Sequence, residues 1–176
     1  MSFSSLIQQV REIPSLNDVT LFKNAVNDCY VYLESAFATS QVDDLVTGRA
    51  EFVDALVCHA WQLAGLNEYK KLSLVAVGGY GRGQLQPHSD VDLLILSSRG
   101  LPRGASDQIS LFLTLLWDAK LDVGSSVRSI NECVEQAKLD ITIATNIVEA
   151  RILTGCDATF DKMLSKVNQD KTWTSK

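Results

Sequence analysis

The sequence predicts an α+β fold: a small mixed sheet of three to five strands, helices packed on one face, and helical flanks at both ends. Three observations predict it. Stretches at either end place apolar residues at helical spacing. Between them lie three short apolar runs, Leu72–Val77, Val91–Leu96 and Leu121–Arg128, bounded by Gly, Pro and charged residues. The first two runs sit too close together for a βαβ crossover, whereas a helical segment separates the second from the third.

The 176 residues suit one domain, or one domain with an appended piece. They are 46% hydrophobic and 21% charged, so a packed core is expected and wholesale disorder is not. A chain of this size buries roughly 70% of its unfolded surface and needs no staples. The net charge of −5 argues against a broad nucleic-acid or anionic-membrane footprint, yet leaves room for a basic pocket holding one nucleotide. No run approaches the ~20 apolar residues of a membrane helix. Met1 to Pro14 lacks the basic and apolar regions of a secretory signal, so the expected location is cytoplasmic. The four cysteines contain no C-x-x-C and only two histidines accompany them, which speaks against zinc and for reduced thiols.

Residues 1–70 read as a helical lead-in. The first 16 are the weakest and predict a loosely docked helix. Leu21 to Phe37 predicts a second helix. From Asp43 to Leu66, an apolar stripe through Leu45, Phe52, Leu56 and Ala60 predicts a third, capped by Asp43 or Asp44 and stopped by Gly65. Trp61 and Trp117 are assigned to the core. Residues 71–130 form the central unit: strand, Gly-rich stretch, strand, a helix over Asp107–Lys120, strand. Residues 131–170 read as C-terminal helices of the same domain. Ser129 and Glu132 form a capping box for the first. Asp140 caps a second helix running to Gly155, and Asp157 caps a third. A frayed tail is expected over 171–176.

The chemistry concentrates between Gly78 and Asp92. A strand running into Gly78-Gly79-Tyr80-Gly81-Arg82-Gly83 is the grammar of phosphate binding. No Lys-Ser/Thr pair follows, so it is not a P-loop. No long helix follows either, so it is not a dinucleotide fingerprint. The next strand opens Asp90-Val91-Asp92-Leu93. Residues i and i+2 of a strand share a face, so Asp90 and Asp92 project together. Two carboxylates ~4 Å apart repel by about 4 kcal/mol at an effective dielectric of 20. A cation between them removes that cost. Hard oxygen ligands, read with no His or Cys nearby, suit Mg²⁺ or Mn²⁺, and a carboxylate-held metal beside open backbone N–H groups suits a triphosphate.

Val77-Gly78-Gly79, ten intervening residues, then Asp90-Val91-Asp92 resembles the nucleotidyltransferase signature of the DNA polymerase β superfamily. The longer strings Val75–Leu96, Leu115–Arg128 and Ala144–Leu153 are similar to the N-terminal domain of the bacterial protein-PII uridylyltransferase/uridylyl-removing family. The resemblance covers about residues 72–155. It implies a polymerase β-like fold that moves UMP from UTP to a tyrosine of the PII signalling protein and releases pyrophosphate. The family's glutamine-sensing ACT domains have no counterpart in this sequence. Its hydrolase domain has none either, and no His-Asp metal cluster stands in for it.

The resemblance also implies roles. Gly78 and Gly79 let backbone N–H groups approach the β- and γ-phosphates. Asp90 and Asp92 hold metal. The superfamily's third carboxylate falls on Asp122, with Asp118 as competitor, and would ligate metal and orient the attacking hydroxyl. Arg82 reads equally as a phosphate contact or a surface cation, and Ser89 as a phosphate ligand or a strand start. His88 reads as a loop residue, and Tyr80 as packed rather than stacked on the base.

Overall fold

The computed structural model describes residues 1–169; the expected tail over 171–176 lies outside them. Ser2 opens helix α1 (Phe3–Arg11) through a capping box with Ser5. Leu6 and Val10 are completely buried, so α1 docks firmly and not loosely. Gly48 explains the fit: a Cβ there would lie 2.2 Å from the Phe3 ring, so only glycine lets α1 approach this closely. Helices α2 (Val19–Ala36) and α3 (Val42–Leu63) follow. The cap of α3 is Gln41, with no side-chain hydrogen bond; Asp43 and Asp44 sit in the first turn, where they favour the helix dipole. Gly65, at φ +70°, ends the segment as expected and leads into a short 3₁₀ turn.

Strand β1 (Leu72–Ala76) leads into α4 (Gly78–Gly81), and a ten-residue spacer past Gly79 leads to Asp90, immediately before β2 (Val91–Ser97). Helix α5 (Ala105–Asp118) carries the chain to β3 (Val123–Ser129). Helices α6 (Ile130–Leu139) and α7 (Ile141–Val148) precede β4 (Arg151–Gly155) and α8 (Asp157–Gln169). The sheet order is β3-β2-β1-β4. β1 pairs antiparallel with β2 and β4, while β2 and β3, joined across α5, run parallel.

The mixed sheet and both helical flanks stand as predicted. Two features differ. The helix expected to run to Gly155 stops at Val148, and its last residues form the edge strand β4. The run Arg151-Ile-Leu-Thr carries β-branched residues that pair with the free edge of β1, and tertiary pairing outweighs weak helical spacing. Helices also cover both faces of the sheet, not one. The reason is in the strands: β1 is buried along its whole length, and every residue of β2 except Asp92 is buried. Leu74, Leu93 and Ile95 pack with Phe22, Phe52, Leu56 and Phe112 from α2, α3 and α5. Val75, Leu94 and Leu96 pack with Ile130, Cys133 and Met163 from α6 and α8.

Trp61 is core and meets Phe112 edge-to-face, with ring centroids 5.5 Å apart. Trp117 is not core: it is 50% exposed at the end of α5, and its indole N–H donates to the main-chain oxygen of Val123. Its neighbours Leu115 and Leu116 take the buried positions of that turn. The cysteines are free thiols. Among the described residues no helix is long and apolar enough to cross a membrane.

Candidate active site

The Gly-rich stretch is not an open loop. It folds as one helical turn pressed between β1 and α7. Gly78 takes φ +59°, which L side chains rarely adopt. Gly81 has no room for a side chain, because a Cβ would stand 2.5 Å from the main-chain oxygen of Glu149. The Val77 N–H donates to the main-chain oxygen of Asp92 at 3.1 Å, so β1/β2 pairing continues to the turn and brings Gly78 beside Asp92.

Two buried polar anchors fix this region. Tyr80 is 1% exposed, and its hydroxyl donates to Asp54 Oδ1 at 2.6 Å. Arg151, at the start of β4, grips the same carboxylate with two N–H donors at 2.7 and 3.1 Å, and its guanidinium lies 5.7 Å from the Tyr80 ring centre. Burial, and then the Asp54 carboxylate, push the Tyr80 phenol well above its usual range, so it stays a donor. Tyr80 is thus packed, as the sequence suggests. The second anchor is Arg49 on α3, 3% exposed. It donates to the main-chain oxygens of Gln86 and Ser89 and to the Tyr30 hydroxyl, and lies over the Tyr30 ring. Carbonyl dipoles thereby compensate a buried cation, and the segment before β2 is pinned.

Gly79, Arg82, His88, Ser89, Asp90 and Asp92 line one cleft of about 430 Å³. Four elements converge there: α4, the pinned segment, β2 and, through Glu149, the end of α7. A slightly larger apolar cleft of about 460 Å³ lies against Tyr30, Phe37 and Pro87, but it contains no paired carboxylates. Chemistry, not size, selects the first.

Asp90 is exposed at the mouth of β2 and Asp92 is half-buried within it. Burial first, and Asp90 second, raise the Asp92 carboxyl above its ordinary value. Among the described residues its carboxylate accepts no hydrogen bond, so both oxygens are open to a cation. This donor set fits a hard divalent ion, which takes two carboxylates together with phosphate oxygens and water. The raised value has a testable sign. A carboxyl raised in the folded state contributes stability below its unfolded value, and that contribution is lost as pH rises through the folded value. Asp92→Asn, which stays neutral, is therefore expected to melt above the wild type at pH 7 in chelator. The difference should vanish on acidification through the carboxylate range.

The other expected residues divide. Gly78 backs Asp92: a Cβ on it would be 3.1 Å from Asp92 Oδ2. Arg82 stands at the cleft wall, where its Nη1 meets Glu149 Oε2 at 2.6 Å, with side chains 53% and 33% exposed. A pair that exposed contributes ~1 kcal/mol or less, so it is easily exchanged for a phosphate. Asp122 is exposed, precedes β3, and accepts the Val91 N–H on its main-chain oxygen at 2.8 Å. Continuing the parallel register sets it level with Asp90, on the strand face of Asp90 and Asp92. It does not line the cleft, and among the described residues no three His, Cys, Asp or Glu side chains group as a metal site. Asp118 is exposed at the end of α5 and does not line the cleft either.

Sequence reasoning missed Arg49, Asp54, Glu149 and Arg151. Arg49 had a signal: it interrupts the apolar stripe of α3 at a core-facing position, between Leu45 and Phe52. The others had none, because their partners are distant in sequence.

The sheet, the glycine turn and the paired aspartates at the mouth of β2 define a nucleotidyltransferase. The family model described as "Nucleotidyltransferase domain" matches residues 61–152, more than half of the chain, and the chain belongs to that family. Among named relatives, a bifunctional uridylyltransferase/uridylyl-removing enzyme of Vibrio cholerae serotype O1 is 49% identical over 134 residues, covering 76% of this chain and 15% of the relative. The enzyme of the same name from Vibrio atlanticus is 43% identical over 159 residues, 90% of this chain and 18% of the relative. That from Pseudomonas putida is 42% identical over 159 residues, again 90% and 18%. The chain thus spans about 15–18% of the length of these curated relatives. The crystal structure of a mutant of the toxin–antitoxin pair MntA-HpeT matches at a TM-score of 0.43 and 15% identity, over 66% of this chain and 85% of that one.

Proposed function

We propose that this domain is a metal-dependent uridylyltransferase that transfers UMP from UTP to a tyrosine of the PII signalling protein, in the cytoplasm, with release of pyrophosphate. The observation that carries the reading is the single cleft joining Gly79, Ser89, Asp90 and Asp92. The identity of 42–49% to enzymes named uridylyltransferases supports the choice of UMP. The choice of PII rests on the family resemblance.

The backbone of the α4 turn receives the β- and γ-phosphates, since glycines there leave N–H groups uncovered. Arg82 leaves Glu149 to meet phosphate charge, and Ser89 donates its hydroxyl to a phosphate oxygen. Mg²⁺ or Mn²⁺ held by Asp90 and Asp92 would neutralise triphosphate charge and acidify the acceptor hydroxyl. Asp122 orients that hydroxyl and accepts its proton. The tyrosine oxygen forms a bond to the α-phosphorus, the α–β bridging P–O bond breaks, and pyrophosphate leaves.

Thermal melts with each of the four nucleoside triphosphates and Mg²⁺ test the base, because a ligand that binds only the folded state stabilises it by RT ln(1 + [L]/Kd). UTP is expected to raise the melting temperature most. Label from α-labelled UTP is expected on PII. A larger shift with ATP would replace the uridylyl reading by another nucleotidyl transfer within the same family, and label on another acceptor only would overturn PII as the acceptor.

A further inference from the structure

Gly124 lies within β3, where glycine needs explaining. A glycine inside a strand gives up side-chain packing and costs conformational entropy relative to alanine. Its φ is not in the left-handed region, so the backbone does not demand glycine. The parallel register sets Gly124 directly beside Asp92 on the same sheet face. A Cβ on Gly124 would stand 2.6 Å from Asp92 Oδ1, a distance real Cβ atoms do not tolerate. On the opposite side, a Cβ on Gly78 would stand 3.1 Å from Asp92 Oδ2. The carboxylate therefore sits in a slot between two glycines on different elements, with neither oxygen tied by a hydrogen bond among the described residues. Among the described residues, Asp92 alone lies within 4 Å of a Gly124 Cβ.

We infer that Gly124 is a positioning residue: its missing side chain holds open the one orientation in which the Asp92 carboxylate can ligate metal. A methyl group at 124 forces Asp92 to rotate away or Oδ1 to be displaced. The backbone gains rather than loses from that change, because alanine suits a strand better than glycine. Metal binding and fold stability should therefore move apart, which a merely structural glycine would not allow.

The inference rests on the metal reading proposed above, and the test separates the two. Mn²⁺ binding is measured by the loss of the free-ion EPR signal, with melting in chelator measured on the same samples, for wild type, Gly124→Ala, Ser126→Ala and Asp92→Asn. The wild type and Ser126→Ala are expected to bind alike. Gly124→Ala is expected to bind at least tenfold more weakly, approaching Asp92→Asn, with a melting temperature unchanged or raised. If Gly124→Ala binds Mn²⁺ as the wild type does, the assignment is overturned. A clear fall in its melting temperature also overturns it, since Gly124 would then serve the fold. If the wild type itself binds no Mn²⁺, the metal reading fails first and the inference falls with it.

Discussion

On the proposed reaction, Asp92→Asn is expected to lower UMP transfer by roughly 10³-fold or more, because a cation held there would supply several kcal/mol of transition-state charge stabilisation. The same variant should fold as well as the wild type. In the folded protein Asp92 is half-buried, its carboxylate accepts no hydrogen bond among the described residues, and it carries a charge that Asp90 opposes. An uncharged amide of the same shape removes that repulsion. Asp90→Asn should show the same loss of transfer. Asp90 is exposed, so its change should leave stability nearly untouched. Initial rates with labelled UTP and PII, beside melting curves, check both halves. Transfer at the wild-type rate in either variant would dissociate the aspartates from the reaction.

Asp54→Ala is expected to have the largest effect on stability among changes outside the apolar core. It strips the Arg151 guanidinium of its bidentate partner and the buried Tyr80 hydroxyl of its acceptor in one step. Breaking a buried pair from one side costs about 3–5 kcal/mol. Here the side chains of Arg151 and Asp54 are 35% and 28% exposed, so water recovers part of the loss. A destabilisation of ~2 kcal/mol follows from that screening. Activity should fall further than stability, since Tyr80 is the centre of the glycine turn and its release lets Gly78 and Gly79 drift. Urea titration reads the first effect, and the KM for UTP measured well below the melting temperature reads the second. Tyr80→Phe, which keeps the ring but leaves Asp54 with Arg151 alone, should cost less than Asp54→Ala on both scales.

Much of this was legible along the chain. The pair Asp90/Asp92 and the glycines needed only strand parity and local spacing, and both are properties of neighbouring residues. Capping at Ser129 with Glu132 is equally local, and it appears as expected. What was not legible depends on pairing across the fold. Arg151–Gly155 becomes a strand because β1 offers it an edge, which helical spacing in that segment does not reveal. Trp117 is exposed because Leu115 and Leu116 already fill the core side of α5, so a large aromatic was not proof of burial. Asp54, Arg49, Glu149 and Gly124 support the site from other elements. Arg49 breaks the apolar stripe of α3, but Asp54, Glu149 and Gly124 look ordinary in sequence, and all four acquire meaning only from the atoms they face.

In the proposed reaction a triphosphate lies on the Gly78-Gly79 turn, with metal between it and the carboxylates of Asp90 and Asp92. A crystal structure of the chain with UTP and Mg²⁺ tests this most directly. Phosphate oxygens are expected against the Gly79 backbone, with a cation between them and Asp90 and Asp92, and Arg82 turned from Glu149 to the phosphates. Nucleotide bound in another cleft, or phosphates at the turn with no cation on either aspartate, would contradict it.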